Sequence, residues 1–293
     1  MAGSWSVQGA LDWGRGRIGA GWESRLEAEI LLANALGRSR EWLIAHGDEH
    51  LEAPAYHGYS RMVELRASTG VPIAYLVGHR EFAGLDFIVR PGVLVPRPET
   101  ETLVDAVRAW LAADGLRFPG GILVDAGCGS GIVAVSLAKY TGRKVLATDV
   151  SPLALVITSE NAVRHGVDGL VEVLKGSWLE PVGGNPRFQG VCAIASNPPY
   201  IPSGVLGTLA RDVRDFEPHL ALDGGRDGMD AIRKVIQEAE VLLPPGGLLA
   251  METGSDQAGE VEALLGAGGW SGTAVIPDLA GLSRVVTAEK GAK

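Results

Sequence analysis

Cysteine is almost missing from this 293-residue sequence, with only Cys128 and Cys192 present. Two cysteines build no disulfide framework and show no metal-ligand spacing, so both are expected to be reduced and no metal is expected. A basic excess is missing too. Lysine and arginine total 26 against 35 acidic residues, a net charge of −9 that argues against a broad electrostatic grip on nucleic acid. No apolar run reaches bilayer length, so no membrane association is expected. Residues 1–10 have no basic residue followed by a long apolar core, so no secretory signal is expected and the compartment expected is the cytoplasm. What remains is ordinary for a globular chain: 46% hydrophobic and 21% charged residues, in a length that admits two domains or one core with an appendage. A monomer is expected.

Ser24 and Glu27 have capping-box spacing, and Leu26, Ile30, Ala33 and Leu36 recur at helical intervals until Gly37. Further helices are predicted over 39–46 and 55–68, the second closed by Gly70. Gly14, Gly16, Gly19 and Gly21 weaken any helix before Trp22, and that stretch carries no assigned element. From Tyr75 the pattern changes. Phe82, Phe87, Ile88 and Val89 alternate with glycines and charges through Val95, which predicts a β-hairpin turning near Gly84. Residues 96–100 lead into an amphipathic helix carrying Leu103, Val104, Val107 and Leu111, with Thr100 as its cap. Apolar strands then alternate with helical patterns, the signature of an α/β fold with a parallel sheet covered on both faces. Strands are predicted at 122–126, 145–148, 171–174, 191–196 and 248–252, a last helix at 257–265, and a closing hairpin from 273–276 and 284–288.

Two loops carry the chemistry. The strand 191–196 is stopped by Asn197-Pro198-Pro199-Tyr200. The crevice beyond strand carboxyl ends is where open α/β sheets bind ligands. Two prolines offer carbonyls without N–H groups, Asn197 adds a side-chain carbonyl, and Tyr200 adds a flat ring with a hydroxyl. Such a loop suits a planar group that donates two N–H bonds, an amide or an exocyclic amine; a simple strand-ending turn has similar weight on these residues alone. The strand at 122–126 runs into Gly127-Cys128-Gly129-Ser130-Gly131. A dinucleotide fingerprint fails here, because Ile132 stands where the third glycine belongs. With Asp125 two residues before the first glycine, the spacing resembles motif I of S-adenosylmethionine-dependent methyltransferases. In those enzymes the loop packs on the methionine part of the cofactor, which makes Asp125, Gly127, Cys128, Gly129, Ser130 and Gly131 candidate cofactor residues. Asp149 ends the next strand, where a carboxylate accepts both hydroxyls of an adenosine ribose or caps the helix beginning at Ser151-Pro152. The same resemblance implies adenine contacts at Gly176-Ser177-Trp178. Ser177 stands where many relatives carry an acid, which moves the candidate contact to Trp178, although a large indole also serves a core.

Taken together, these features resemble the PrmC/HemK family of N5-glutamine methyltransferases. The resemblance rests on Ala74-Tyr75-Leu76 with Gly78, Glu81-Phe82, Val95-Pro96-Arg97-Pro98-Glu99-Thr100-Glu101, the two loops above, Glu217-Pro218 with Ala221-Leu222, Glu252-Thr253-Gly254 with Gln257, and Asp278 with Arg284. It implies a Rossmann-like, seven-stranded methyltransferase domain over 97–293, a small helical recognition domain over 1–77 and a hairpin linker over 78–96. It further implies methyl transfer from S-adenosylmethionine, leaving S-adenosylhomocysteine, to the glutamine of the Gly-Gly-Gln motif of class 1 peptide chain release factors. The Asn197 side-chain oxygen and the Pro198 carbonyl are then expected to accept the amide N–H groups, with Pro199 and Tyr200 completing the substrate loop. Arg97 is a substrate candidate, against the alternative of an exposed ion pair worth little. Glu252, Asp278 and Arg284 read as structural anchors. Alternatives are a ribosomal protein glutamine methyltransferase, a nucleic acid amino methyltransferase acting on a flipped base, and a binding protein without catalysis.

Overall fold

The computed structural model describes residues 5–113 and 117–292; residues 1–4 of the stretch read for a signal lie outside the described residues. The chain forms two compact units, one of residues 1–79 with 210–216 and one of 80–209 with 217–293.

The first unit is helical: α1 (Val7–Ile18), α2 (Trp22–Leu36), α3 (Arg40–Ala45), α4 (Ala53–Thr69) and α5 (Ile73–Val77). Helix α1 forms despite its glycines. Ser6 caps it by accepting from Gly9 N at 3.1 Å. Gly14 is required there, because a Cβ would stand 1.8 Å from the Tyr59 hydroxyl, which donates to the Ala10 carbonyl at 3.1 Å. Packing against α4 thus outweighs weak intrinsic propensity. Helix α2 begins at Trp22 with Gly21 as its N-cap, so Ser24 and Glu27 do not form the expected capping box; Glu27 instead pairs with Arg66 at 2.5 Å. The segment 210–216 also belongs to this unit, and its Asp212 approaches Arg66 at 3.7 Å.

The second unit opens on the hairpin β1 (His79–Phe82) and β2 (Leu85–Ile88). Its turn residues Ala83 and Gly84 both have positive φ, as a tight hairpin turn demands. The hairpin stops at Ile88 rather than running to Val95: residues 89–95 form a loop. Next come α6 (Glu101–Ala113), β3 (Ile122–Ala126), α7 (Ile132–Thr141), β4 (Val145–Asp149), α8 (Pro152–Arg164), β5 (Val171–Lys175) and β6 (Val191–Ser196). The short α9 (Arg211–Phe216) belongs to the first unit, and α10 (Asp230–Leu242), β7 (Leu248–Glu252), α11 (Ala258–Ala267), β8 (Trp270–Pro277) and β9 (Ser283–Lys290) complete the second.

Seven strands form one sheet in the order β5-β4-β3-β6-β7-β9-β8, with β9 alone running antiparallel to its neighbours β7 and β8. Alternation along each strand feeds two apolar layers. Leu123, Leu248 and Ala250 join the layer containing Leu103, Val107 and Leu137, while Val124, Leu249 and Met251 join the layer containing Ile232, Val235 and Val261. Each of the leucine, valine, isoleucine and methionine side chains contributes about 1.5–3 kcal/mol by leaving water. The strand order reverses direction between β3 and β6, which pair in parallel with Asp125 opposite Ala195. The loops that follow these two strands therefore open side by side at the switch point.

Candidate active site

A cavity of about 680 Å³ lies in the second unit at this switch point. Asp125, Gly127, Cys128, Gly129 and Ser130 line it from β3, Asp149 from β4, Trp178 from the segment after β5, and Asn197 and Pro199 from the loop after β6. Three expected residues lie outside its lining: Gly131, Pro198 and Tyr200.

Each part of the glycine loop has a distinct job. Gly127 has φ 82°, and a Cβ there would sit 2.9 Å from the Trp178 ring, so its bareness lets the indole close over the loop. Gly129 donates its N–H to Asp149 Oδ2 at 2.9 Å, and a Cβ there would enter open space. Gly131 faces the other way. Its Cβ would strike the Thr158 side chain at 2.8 Å and the Thr158 Cα at 3.0 Å, so Gly131 serves the packing of α7 on α8 and not the cavity. Asn161 fastens this corner by donating to the carbonyls of Ser130 and Ile88 and accepting from Ile88 N.

The two carboxylates are held differently. Asp125 is 1% exposed, and its Oδ2 accepts from Ala134 N in the first turn of α7 at 2.9 Å. Burial pushes its pKa up to about 7; the Ala134 bond opposes the shift and the Asp149 charge adds to it. Asp149 is half-buried, with Oδ1 accepting from Ser151 N at 2.8 Å and Oδ2 from Gly129 N. The cap of α8 is Ser151, whose hydroxyl accepts from Ala154 N, so Asp149 orders two loops instead of capping the helix. Each Asp149 oxygen retains acceptor capacity. The Cys128 thiol is buried 3.3 Å from the Thr158 hydroxyl, and burial raises its pKa well above the usual thiol range, which makes it no nucleophile. Trp178 has φ 47°, a costly backbone state for a bulky residue, and its ring divides between the cavity and the apolar layer below.

On the other side, the Ser196 hydroxyl donates to the Ala126 carbonyl at 2.7 Å and ties β6 to β3. Asn197 Nδ2 then donates to the Thr100 hydroxyl oxygen at 3.1 Å, which leaves Oδ1 as an acceptor with no partner among the described residues. Pro198 is buried. Tyr200 is drawn away from the cavity because its hydroxyl donates to Glu252 at 3.2 Å and its carbonyl accepts from Gln257 at 2.9 Å. Residues 95–97 form a third wall. Glu217, nearly buried, accepts from Val95 N at 3.2 Å and from Arg97 Nη2 at 2.5 Å, so Arg97 lines the cavity as half of a shielded pair and not as an exposed ion pair with Glu99.

Several lining or supporting residues escape the sequence reading. Thr100 has cap spacing, yet it lies in a 3-10 turn (Pro98–Thr100) and serves Asn197. Residues 92–95, which the hairpin reading places in a strand, line the cavity, and so does Ser177, which the sequence reading sets aside in favour of Trp178. Only position beside the Pro-Arg-Pro segment signals residues 92–95. On the last hairpin, Asp278 accepts from Ala280 N and Leu282 N and pairs with Arg284, as an anchor would. Among the described residues no group of three or more His, Cys, Asp or Glu side chains is placed to hold a metal, and no helix is long and apolar enough to cross a membrane.

A seven-stranded sheet in this order, with a glycine loop after its first strand in the chain, is the fold of the S-adenosylmethionine-dependent methyltransferases. The hMettl16 catalytic domain, solved with the MAT2A 3′UTR hairpin 6, shares it with a TM-score of 0.55 at 12% identity, over 84% of this chain and 86% of that one. Two families match parts of the sequence: the PrmC N-terminal domain over residues 9–78, and the ribosomal protein L11 methyltransferase (PrmA) over 110–193. The release factor glutamine methyltransferase of Moorella thermoacetica is 45% identical over 262 residues, 89% of each chain, and that of Geobacter sulfurreducens 39% identical over 287 residues, 96% of each. This chain belongs to the release factor glutamine methyltransferase family.

Proposed function

We propose that this protein transfers a methyl group from S-adenosylmethionine to the side-chain amide nitrogen of the glutamine in the Gly-Gly-Gln motif of class 1 peptide chain release factors. The observation that carries this reading is the commitment of Asn197 Nδ2 to Thr100, which leaves Oδ1 to accept from an amide at the strand end beside the glycine loop. Family membership along nearly the full chain supports the substrate. The PrmA match favours a ribosomal protein substrate less, because it ends at residue 193, before the acceptor loop begins.

The residues fit the cofactor by their own chemistry. Asp149 would accept from ribose hydroxyls with the lone pairs its backbone bonds leave, Trp178 would flank the base, and Gly129 would leave space for the methionine part. When bound, S-adenosylmethionine supplies a methyl group on positively charged sulfur. The amide nitrogen is a poor nucleophile, since its lone pair is delocalised into the carbonyl. Asn197 Oδ1 accepts one N–H, and a carbonyl of the Pro198-Pro199 pair accepts the other. Those bonds strengthen as positive charge grows on nitrogen, which lowers the barrier, and holding the nitrogen in line supplies the remainder. Tyr200 supports the loop from behind. No general base is required, because the methylated nitrogen becomes acidic and releases its proton to solvent. The helical first unit recognises the protein substrate and the second unit carries the transfer, with residues 92–96 of the expected linker contributing to its cavity. The protein works as a cytoplasmic monomer.

The test is methyl transfer from labelled cofactor to a purified class 1 release factor, beside its loop Gln→Ala variant and a ribosomal protein control. Label that vanishes with the loop glutamine is expected; label on the ribosomal protein alone overturns the substrate assignment.

A further inference from the structure

The acceptor loop lacks the means to hold itself. Pro198 and Pro199 have no backbone N–H, so the loop is fixed mainly through its carbonyls and side chains. Gln257, 8% exposed and just before α11, takes the Tyr200 carbonyl: its Nε2 donates to that oxygen at 2.9 Å and to the Gly228 carbonyl at 3.3 Å. Its Oε1 accepts from Gly254 N at 2.9 Å. The Gln257 amide therefore fits only one way round, because the flipped amide sets oxygen against two carbonyls and NH2 against an N–H. The turn 223–228 before α10 presses on the same loop. At Gly228, with φ 79°, a Cβ would run into the Tyr200 carbonyl oxygen and stand 2.5 Å from Gln257 Nε2; at Gly224 one would stand 2.8 Å from the Pro199 carbonyl oxygen. Just past the loop, Ile201 N donates to the Leu222 carbonyl at 3.1 Å and Gly224 N to the Ile201 carbonyl at 2.9 Å.

We propose that Gln257 is a positioning residue for methyl transfer, and that the turn 223–228 carries glycine at 224 and 228 so that Gln257 can reach the acceptor loop. The inference rests on the glutamine-methylating reading of the site. Gln257 spends both amide protons on carbonyls, one of them the last in the loop, and its own oxygen anchors it to the backbone that follows β7. The Tyr200 carbonyl is thereby occupied. Those of Pro198 and Pro199 accept no hydrogen bond among the described residues and are left for the N–H groups of a substrate amide. Neither Gln257, Gly228 nor Tyr200 lines the cavity. Gln257 therefore acts on the reaction through the loop, by holding its carbonyls where the developing charge on nitrogen needs them, and not by touching cofactor or substrate.

Gln257→Glu keeps the shape and exchanges the donating NH2 for lone pairs that repel the Tyr200 and Gly228 carbonyls. Its kcat for release factor methylation, counted per cofactor-binding site so that unfolded protein is excluded, is expected to fall about 10- to 100-fold, the cost of misplacing a reacting group by about 1 Å. KM for the release factor and Kd for S-adenosylmethionine are expected to stay within about twofold of wild type, because neither partner touches Gln257. Gln257→Met neither donates nor repels and is expected to lose less kcat than Gln257→Glu. Gly228→Ala pushes on the same Tyr200 carbonyl and is expected to show the same split between kcat and Kd, while Gln257→Glu with Gly228→Ala is no slower than the slower single variant, since both act through one bond. A wild-type kcat in Gln257→Glu, a cofactor Kd that weakens as much as kcat falls, or multiplicative losses in the double variant overturns the proposal. If Gln257→Glu binds no cofactor, the split in Gln257→Met and Gly228→Ala decides. If the wild-type protein transfers no methyl to the release factor glutamine, the functional reading itself fails and this inference falls with it; if it does, these variants judge the inference alone.

Discussion

Loop 127–131 and loop 197–200 leave neighbouring parallel strands and border one cavity, yet they are built from opposite materials. The glycine loop turns its N–H groups inward: Gly127 and Cys128 donate to the Thr148 carbonyl and Gly129 to Asp149. It presents a bare, rigid surface whose shape comes from missing side chains. The proline loop has no N–H at Pro198 or Pro199, and its one polar side chain facing the cavity is oriented by a hydroxyl from another element. One loop is made for close approach and the other for accepting hydrogen bonds. A methyl donor that needs shape and an acceptor that needs charge complementarity are served by separate segments, so substitutions in the two should separate binding from turnover.

Asn197→Ala tests that separation hardest. It removes the oriented acceptor and is expected to lower kcat by about 100-fold or more, the usual cost of losing one preorganised electrostatic group. Cofactor Kd should change far less, since Asp149 and the glycine loop are untouched. Equal losses in both constants would merge the two loops into one functional unit. Asp149→Ala is the converse. It removes a carboxylate that holds Gly129 and Ser151, and cofactor affinity measured by calorimetry is expected to fall about 10- to 100-fold, the range for hydrogen bonds to a charged group. An unchanged Kd would mean that Asp149 orders the loops without touching the ribose.

The two loops were also unequally legible. The strands that carry them, 122–126 and 191–196, are continuous apolar runs bounded by glycine and proline, and both stand in the structure at the predicted residues. Such runs report burial on both faces, a property local sequence carries. Spacing alone makes Gly127 and Gly131 look alike. Their difference lies in what the missing Cβ faces, the Trp178 ring or Thr158, and those residues arrive from other elements. Thr100 and Glu217 were hidden for the same reason: their partners Asn197 and Arg97 lie 97 and 120 residues away along the chain. Helix α1 was illegible because propensity penalises Gly14 while packing against Tyr59 requires it.

Asp125 sharpens the comparison most finely, because it lies beneath the glycine loop and titrates in an accessible range. Burial lifts its pKa to about 7 from the ordinary 3.8, so the folded protein binds this proton more tightly than the unfolded chain does. A raised pKa of this kind contributes stability that is fully present below the unfolded value and is lost as pH rises through the folded one. Between pH 6 and 8 the cofactor-free protein should therefore lose about 1.4 kcal/mol from this group alone. Asp125→Asn keeps an oxygen for the Ala134 N–H and removes the charge, so urea unfolding of the variant should lack that component of the slope. Parallel pH profiles for the two proteins would mean that Asp125 is already ionised in the fold, and that the glycine loop rests on a fixed negative charge instead of a carboxyl group poised to lose its proton.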